Sequence, residues 1–292
     1  MSKVGFIGIG LMGLPMCQQL LKAKLDLTVW NRNQSKCEPL IKNGAKAANS
    51  LQDLVSKVDV IMMCVSNTQS VEEITSQIEP ALKSGQCIID FSSISPDATI
   101  ALASRVSKKG VSWVDSPVSG GVAGAEAGSL AIMVGGEEAQ VNAVRPLLEP
   151  LAQAVTHMGP NGTGQTTKIC NQMLVSCNVL VMAEVMAMAK RAGVDATRIP
   201  TALKGGFADS IPLQLTGSRM AAQDFDEIKW HVKTLLKDLD MANALAKDVG
   251  SAIPMAGLGA ELMRQHGSRG YTDKDPATLV TLYELDKSSE ES

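Results

Sequence analysis

Three glycines, Gly8, Gly10 and Gly13, follow an apolar run at residues 4–7 and open an apolar helical stretch at residues 12–24. That spacing dictates a strand, a tight turn and a helix. The first glycine permits the turn, the second leaves the backbone bare to an approaching pyrophosphate, and the third lets helix and strand pack closely. The helix N-terminus then meets the phosphate charge with unpaired N–H groups. A second apolar run at residues 27–30 supplies the next strand, and this context separates a dinucleotide cradle from a chance GxGxxG. Gly8, Ile9, Gly10, Leu11, Met12 and Gly13 are therefore candidate cofactor contacts.

The second strand ends in Asn31-Arg32. A dinucleotide without a 2′-phosphate is usually held here by an Asp or Glu that bonds the ribose hydroxyls. This chain offers no carboxylate to repel a 2′-phosphate and a guanidinium to pair with one. The expected cofactor is NADP(H) in preference to NAD(H), with Asn31 and Arg32 at its ribose. A solvated Asn-Arg-Asn turn is the alternative at this position.

Short apolar runs recur at 60–65, 87–91, 111–115, 130–134 and 154–158, with helical stretches at 96–109 and 137–151 among them. Continuous apolar strands alternating with helices predict a parallel sheet covered on both faces. Chemistry is then expected at the carboxyl ends of the strands, which are marked by Val65-Ser66, Ser92-Ser93 and Ser116. Beyond Pro160-Asn-Gly-Thr-Gly164 the strand signals stop. Helical patterns follow at 165–192, 199–204, 211–221, 228–249 and 256–265. The expected fold is α/β: a Rossmann-type domain over 1–162 and an all-α domain over 163–292, joined by a long interdomain helix. The polar tail at 287–292 is expected to fray.

Composition narrows the function. The 292 residues are 45% hydrophobic and 20% charged, as in a soluble globular chain. A net charge of −3 without a basic block gives no support for nucleic-acid binding. Residues 169–189 are long and apolar enough to suggest a membrane span. They carry Asn171, Gln172, Asn178 and Glu184, which are costly in lipid, so a helix buried between domains is the better reading and no membrane partner is expected. Six cysteines lack metal-ligand spacing and three histidines are scattered. Reduced thiols in a cytoplasmic protein without a metal site are the expectation.

Two further segments carry chemistry. In Asp115-Ser-Pro-Val-Ser-Gly-Gly121 and the small residues after it, Ser119, Gly120 and Gly121 offer a hydroxyl and successive amides to an anion such as a carboxylate. The bland alternative is a Gly-rich turn. In Gly162-Thr-Gly164-Gln-Thr-Thr-Lys168-Ile-Cys-Asn171-Gln172, i, i+3 and i+4 spacing puts Lys168, Asn171 and Gln172 on one helix face. The helix dipole disfavours a lysine in the first turns, so its presence there points to a use; a lysine snorkelling at the helix edge is the alternative.

Taken together, these motifs resemble the β-hydroxyacid dehydrogenases, the group of 3-hydroxyisobutyrate dehydrogenase, tartronate semialdehyde reductase and glyoxylate/succinic semialdehyde reductase. The matching pieces are Gly8-Ile-Gly-Leu-Met-Gly-Leu-Pro-Met16, Asp115 to Gly121, Gly162 to Gln172 and Leu236-Lys237-Asp238-Leu239. The resemblance implies Lys168 as the catalytic proton donor, with Asn171 beside it. It implies Ser119, Gly120, Gly121 and Asn171 at the substrate, with Gln172 on the same helix face, and Ser93 and Lys237 at the cofactor. It also implies a small carboxylate-bearing aldehyde as substrate and a homodimer or homotetramer as the assembly. The Asn171-Gln172 pair is closer to tartronate semialdehyde reductases, whereas Asn31-Arg32 is closer to the NADPH-preferring glyoxylate/succinic semialdehyde reductases. Phe207, Ser210, Trp230 and His231 are candidate shapers of the pocket. Imine reductases and non-catalytic oligomeric scaffolds resemble the same family, but the former usually lack, and the latter have lost, the lysine that stands here at 168.

Overall fold

The structure is a computed structural model that describes residues 2–283; the tail at 287–292 lies outside the described residues. The chain divides into two compact units, Met1–Lys168 and Ile169–Ser292. In the first, strands β1 (Lys3–Ile7), β2 (Asp26–Trp30) and β3 (Lys46–Ala47) alternate with helices α1 (Gly13–Lys22) and α2 (Glu38–Lys42). Next come α3 (Leu51–Lys57), β4 (Val60–Met63), α4 (Thr68–Ile78), β5 (Cys87–Asp90), α5 (Pro96–Ser107) and β6 (Ser112–Asp115). Strand β7 (Val118–Ser119), α6 (Gly121–Ala127), β8 (Leu130–Gly135), α7 (Glu138–Leu148) and β9 (Ala152–Gly159) complete the sheet.

The strand order is β3-β2-β1-β4-β5-β6-β8-β7, with β9 paired to β8. From β3 to β6 all pairings are parallel. The alternation of side chains explains why these strands read as continuous apolar runs. Phe6, Met62 and Ile89 enter one core layer, while Ile7, Met63 and Ile88 enter the layer on the opposite face. Gly5 lets α3 close on β1, since a Cβ there would sit 2.4 Å from Leu54 Cδ2.

The expected all-parallel sheet is corrected at its far edge. β8 runs antiparallel to both β6 and β7. Residues 115, 118 and 119 meet 135, 132 and 131 in one antiparallel register, so the chain runs straight from β6 through Pro117 into β7, reverses at α6, and returns as β8 along both. α7 then carries it across to β9, which is parallel to β8. The small-residue stretch 116–129 is also more ordered than a Gly-rich turn: it holds β7 and α6, and Gly128 closes α6 in the left-handed region at φ 65°. Strand β3 and helix α2 are too short to show a period, whereas α3 and α4 bury Leu51, Leu54 and Val55 and Val71, Thr75 and Ile78 at helical spacing.

The second unit is helical. α8 (Thr163–Arg191) begins in the first unit and continues into the second. It is followed by α9 (Ile199–Leu203), a π turn at Leu213–Gly217, α10 (Ser218–Ala222), α11 (Val232–Asp248) and α12 (Pro254–His266). The pattern at 228–249 suggests one helix, but the observed helix starts at Val232 because His231 is extended and the Lys229 N–H is held by Asp275. Met182 and Met186 of α8, Leu235 and Leu239 of α11, and Ala260 and Met263 of α12 form this unit's core. Within the chain α8 is covered only in part: Leu174, Val181 and Met188 are exposed.

Candidate active site

The cradle forms as its spacing requires. Gly8 adopts φ 99°, and a Cβ there would lie 2.3 Å from the Cys64 carbonyl oxygen. A Cβ on Gly13 would lie 2.0 Å from the Gly8 carbonyl oxygen. At Gly10 a Cβ would meet nothing within 4 Å, so the space before the loop is open to a ligand. A cavity of about 630 Å³ lies over this loop at the β1/β4 switch point. Its lining brings together Gly8, Ile9, Gly10, Leu11, Met12 and Gly13 with Asn31, Arg32, Val65 and Ser66. Ser93, Ser119, Gly120, Gly121 and Lys168 belong to the same unit but do not line this cavity.

Asn31 has a structural task. Its Oδ1 accepts the Ile9 N–H at 3.0 Å and its Nδ2 donates to the Asn33 carbonyl at 2.8 Å. The side chain thereby staples the glycine loop to the end of β2. Asn33 in turn accepts from the Ser35 amide and hydroxyl, which sets up the 3-10 turn Gln34–Cys37. That turn brings Lys36 to the cavity beside Arg32. Lys36 was not singled out from sequence; the cue is a cation four residues after Arg32, but only the Asn33 turn points it the same way. A bare glycine loop and two exposed cations at the ribose end fit a dinucleotide that carries a 2′-phosphate.

The first turn of α8 is pinned. Asp115, fully buried at the end of β6, accepts the Gly162 N–H at 3.0 Å and the Gln165 N–H at 3.2 Å. A carboxylate at a helix N-terminus satisfies orphan amides and matches the dipole, which offsets the cost of a lysine nearby. Gly164 is required by the same closeness: a Cβ there would sit 2.8 Å from Asp115 Oδ2 and 2.6 Å from the Met133 carbonyl oxygen. Burial raises the Asp115 pKa, while the Gly162 and Gln165 amides and the Asn161 side chain oppose the rise. Lys168 follows Gln165 by three residues, about one turn into the fixed part of the helix.

In the helical unit, the Asn171 side-chain amide donates to Gln172 Oε1 at 2.8 Å, and Gln172 donates to Asp238 at 2.5 Å. Asp238 is buried and pairs with Lys237 at 3.3 Å. Gln172 is thus engaged through both ends of its amide. Of the pocket candidates, Phe207 is fully exposed and Trp230 packs on the helical core. The Ser210 hydroxyl accepts from Asn178 and from the Leu213 N–H. Among the described residues no cluster of His, Cys, Asp and Glu is arranged to hold a metal ion.

Comparison with known proteins agrees with this geometry. Residues 3–159 match the family model of the NAD binding domain of 6-phosphogluconate dehydrogenase. Residues 162–283 match the model described as NAD-binding of NADP-dependent 3-hydroxyisobutyrate dehydrogenase. The chain is 37% identical over 286 residues to 2-hydroxy-3-oxopropionate reductase of Escherichia coli strain K12, covering 97% of each chain. It is 31% identical over 294 residues to the NAD-dependent L-serine dehydrogenase of Pseudomonas aeruginosa, covering 97% of this chain and 98% of that one. It superposes on Mycobacterium tuberculosis 3-hydroxyisobutyrate dehydrogenase with L-serine at TM-score 0.88 and 25% identity, covering 98% of this chain and 100% of that one.

Proposed function

The chain belongs to the β-hydroxyacid dehydrogenase family of NAD(P)-dependent enzymes, and from that premise we propose an NADPH-preferring reductase of short aldehydes that carry a carboxylate. When bound, the dinucleotide supplies the hydride. The amides of Gly8 to Gly13 hold its pyrophosphate, and Arg32 with Lys36 holds the 2′-phosphate, with Val65 and Ser66 on the same cavity wall and Ser93 and Lys237 as further cofactor contacts. Ser119 and the amides of Gly120 and Gly121 take the substrate carboxylate. As the carbonyl carbon is reduced, negative charge develops on its oxygen. The Lys168 ammonium stabilises that charge and gives up the proton. Asn171 bonds the substrate or orients Lys168, and Gln172 acts through Asn171, whose amide it holds.

The observation that carries this reading is that one compact unit holds both the glycine cradle and Lys168, the lysine on a turn whose start is fixed by Asp115. Lys168 also favours a carbonyl substrate over a cyclic imine and an enzyme over a scaffold. The test is a panel of 2-hydroxy-3-oxopropionate (tartronate semialdehyde), glyoxylate, succinic semialdehyde and methylmalonate semialdehyde with NADPH and NADH, beside L-serine oxidation. The expected result is the highest kcat/KM for a semialdehyde with NADPH. Faster turnover of L-serine with NAD, or none with any semialdehyde, would replace this reading.

Assembly and location belong to the same proposal. Leu174, Val181 and Met188 recur every seven residues on α8 and are 75%, 45% and 65% exposed. An apolar stripe of this kind is covered in a homodimer or homotetramer. Sedimentation equilibrium at micromolar concentration should show the oligomer; a monomer removes it. α8 is long and apolar enough to cross a membrane, but its Met182, Ala183 and Met186 are spent on the core of the helical unit. All six cysteines are free, which suits a cytoplasmic protein.

A further inference from the structure

Beneath the cradle, buried polar groups run across the carboxyl ends of β4, β5 and β6 to the start of α8. The Val65 N–H, on the cavity wall, donates to Ser92 Oγ at 2.9 Å, and the Ser92 N–H donates to Asp90 Oδ1 at 2.9 Å. Gln165 Nε2 donates to the Ser92 carbonyl at 2.8 Å, and Gln165 Oε1 accepts the Ile94 N–H at 3.1 Å. The Gln165 N–H closes the path on Asp115. Asp90 and Asp115 are register partners on β5 and β6, so both leave the same face of the sheet. Asp90, Ser92, Asp115 and Gln165 are all buried.

Stability alone does not call for this arrangement. An apolar residue at 90 would be cheaper in a dry sheet centre than a carboxyl whose Oδ2 takes no hydrogen bond. The bonds that are made, from Val65 to Ser92, from Ser92 to Asp90 and from Gln165 to Ser92 and Asp115, are strengthened by the low dielectric and hold what lies at the ends of the path. One end here is Val65 at the dinucleotide cavity. The other is Gln165, one turn before Lys168.

We propose that Asp90 and Gln165 are positioning residues that lock the cavity wall at Val65 to the helical turn bearing Lys168, so that cofactor binding and proton transfer are set by one buried circuit. The proposal rests on the functional reading of Lys168 given above. The charge balance supports it. Burial pushes the Asp90 carboxyl up to about 7; Ser92 opposes the rise and the Asp115 charge adds to it. Cys64, which follows β4, is the other titratable group felt here: burial and then the Asp90 charge push it up to about 12, so it stays a neutral thiol. Below about 7 the Asp90 carboxyl keeps its proton, while the Gly162 and Gln165 amides favour the charged form of Asp115. Alkaline pH puts a second charge on Asp90 and strains the circuit at the Val65 end.

Two substitutions test this, Gln165→Leu and Asp90→Asn, with NADPH Kd read by fluorescence titration from pH 6 to 9 and kcat read with the best semialdehyde. Gln165→Leu is expected to raise the NADPH Kd about threefold or more and to lower kcat about tenfold or more, each fold-change reporting a displaced contact. Asp90→Asn keeps an oxygen for the Ser92 N–H and cannot ionise. It should match the wild-type Kd at pH 6 and bind about threefold or more tightly than wild type at pH 8.5. Comparing the two proteins at one pH cancels the titration of NADPH itself. A folded Gln165→Leu protein with both constants within about twofold of wild type would overturn the proposal, as would Asp90→Asn tracking wild type at every pH. If Gln165→Leu does not fold, Asp90→Asn decides alone. The binding arm needs no substrate, so a wild type that binds NADPH but reduces no semialdehyde would undo the functional reading and leave the circuit to be judged on Kd.

Discussion

Asp90→Asn should change how stability depends on pH, and the size follows from the structure. The Asp90 carboxyl ionises at about 7 in the folded chain because burial disfavours the charge; its ordinary value is 3.8. Between those values the folded protein keeps a proton that the unfolded chain has released. Stability therefore falls as pH rises through this window, by about 1.4 kcal/mol per pH unit, and the loss is complete above about 7. The three-unit gap makes the full loss about 4 kcal/mol, of which about 3 kcal/mol falls between pH 5 and pH 8. Asparagine cannot ionise and lacks this loss. Guanidinium unfolding of the cofactor-free protein, followed by fluorescence of Trp30 and the buried Trp113 in the first unit, measures it. The difference in stability between variant and wild type should grow in the variant's favour by about 3 kcal/mol from pH 5 to pH 8, other titrations cancelling in the difference. A difference that stays constant within about 1 kcal/mol would refute the reasoning, since Asp90 would then ionise alike in both states.

The other expectations concern the site. Lys168→Ala should lower kcat by roughly 10²–10⁴-fold with little change in NADPH Kd, and Lys168→Arg should not restore it, because arginine keeps the charge but cannot release a proton. Turnover of both variants within about threefold of wild type would mean that Lys168 only lines a helix edge. Arg32→Ala should erode the NADPH-over-NADH preference by about 1–3 kcal/mol in kcat/KM, with Lys36→Ala smaller and in the same direction. An unchanged preference in the double variant would place the 2′-phosphate elsewhere. Gly13→Ala should abolish NADPH binding in a titration, because the added Cβ would stand 2.0 Å from the Gly8 carbonyl oxygen, far inside contact distance.

Much of this protein was fixed locally by its sequence. The glycine spacing specified the cradle because Gly8 and Gly13 answer steric demands made by near neighbours, and one cavity is lined by Gly8 to Gly13 and by the strand-end residues Asn31, Arg32, Val65 and Ser66. Parallel strands buried on both faces leave continuous apolar runs, so β1, β2, β4, β5 and β6 were legible within a residue or two. The helical second half showed in its period. Strand β3 was not legible: two exposed residues carry no pattern, and only the edge of β2 makes them a strand. Nor was the reversal of β8, since side-chain alternation is the same in parallel and antiparallel strands. Asp115 looked like the start of a substrate loop, yet it also caps a helix that begins at residue 163. Asp90 and Gln165 carry no visible signal in the sequence and Ser92 shows only as a strand end, because one polar residue at a strand end says nothing about its partner. Hydrogen bonds such as those from Gln165 to Ser92 and Asp115 span residues far apart in the chain, and register alone brings them into reach. Sequence determines what each segment can form, through sterics and periodicity within a few residues. Which buried polar groups meet is decided when the sheet closes, because desolvation leaves them only the partners that the tertiary fold supplies.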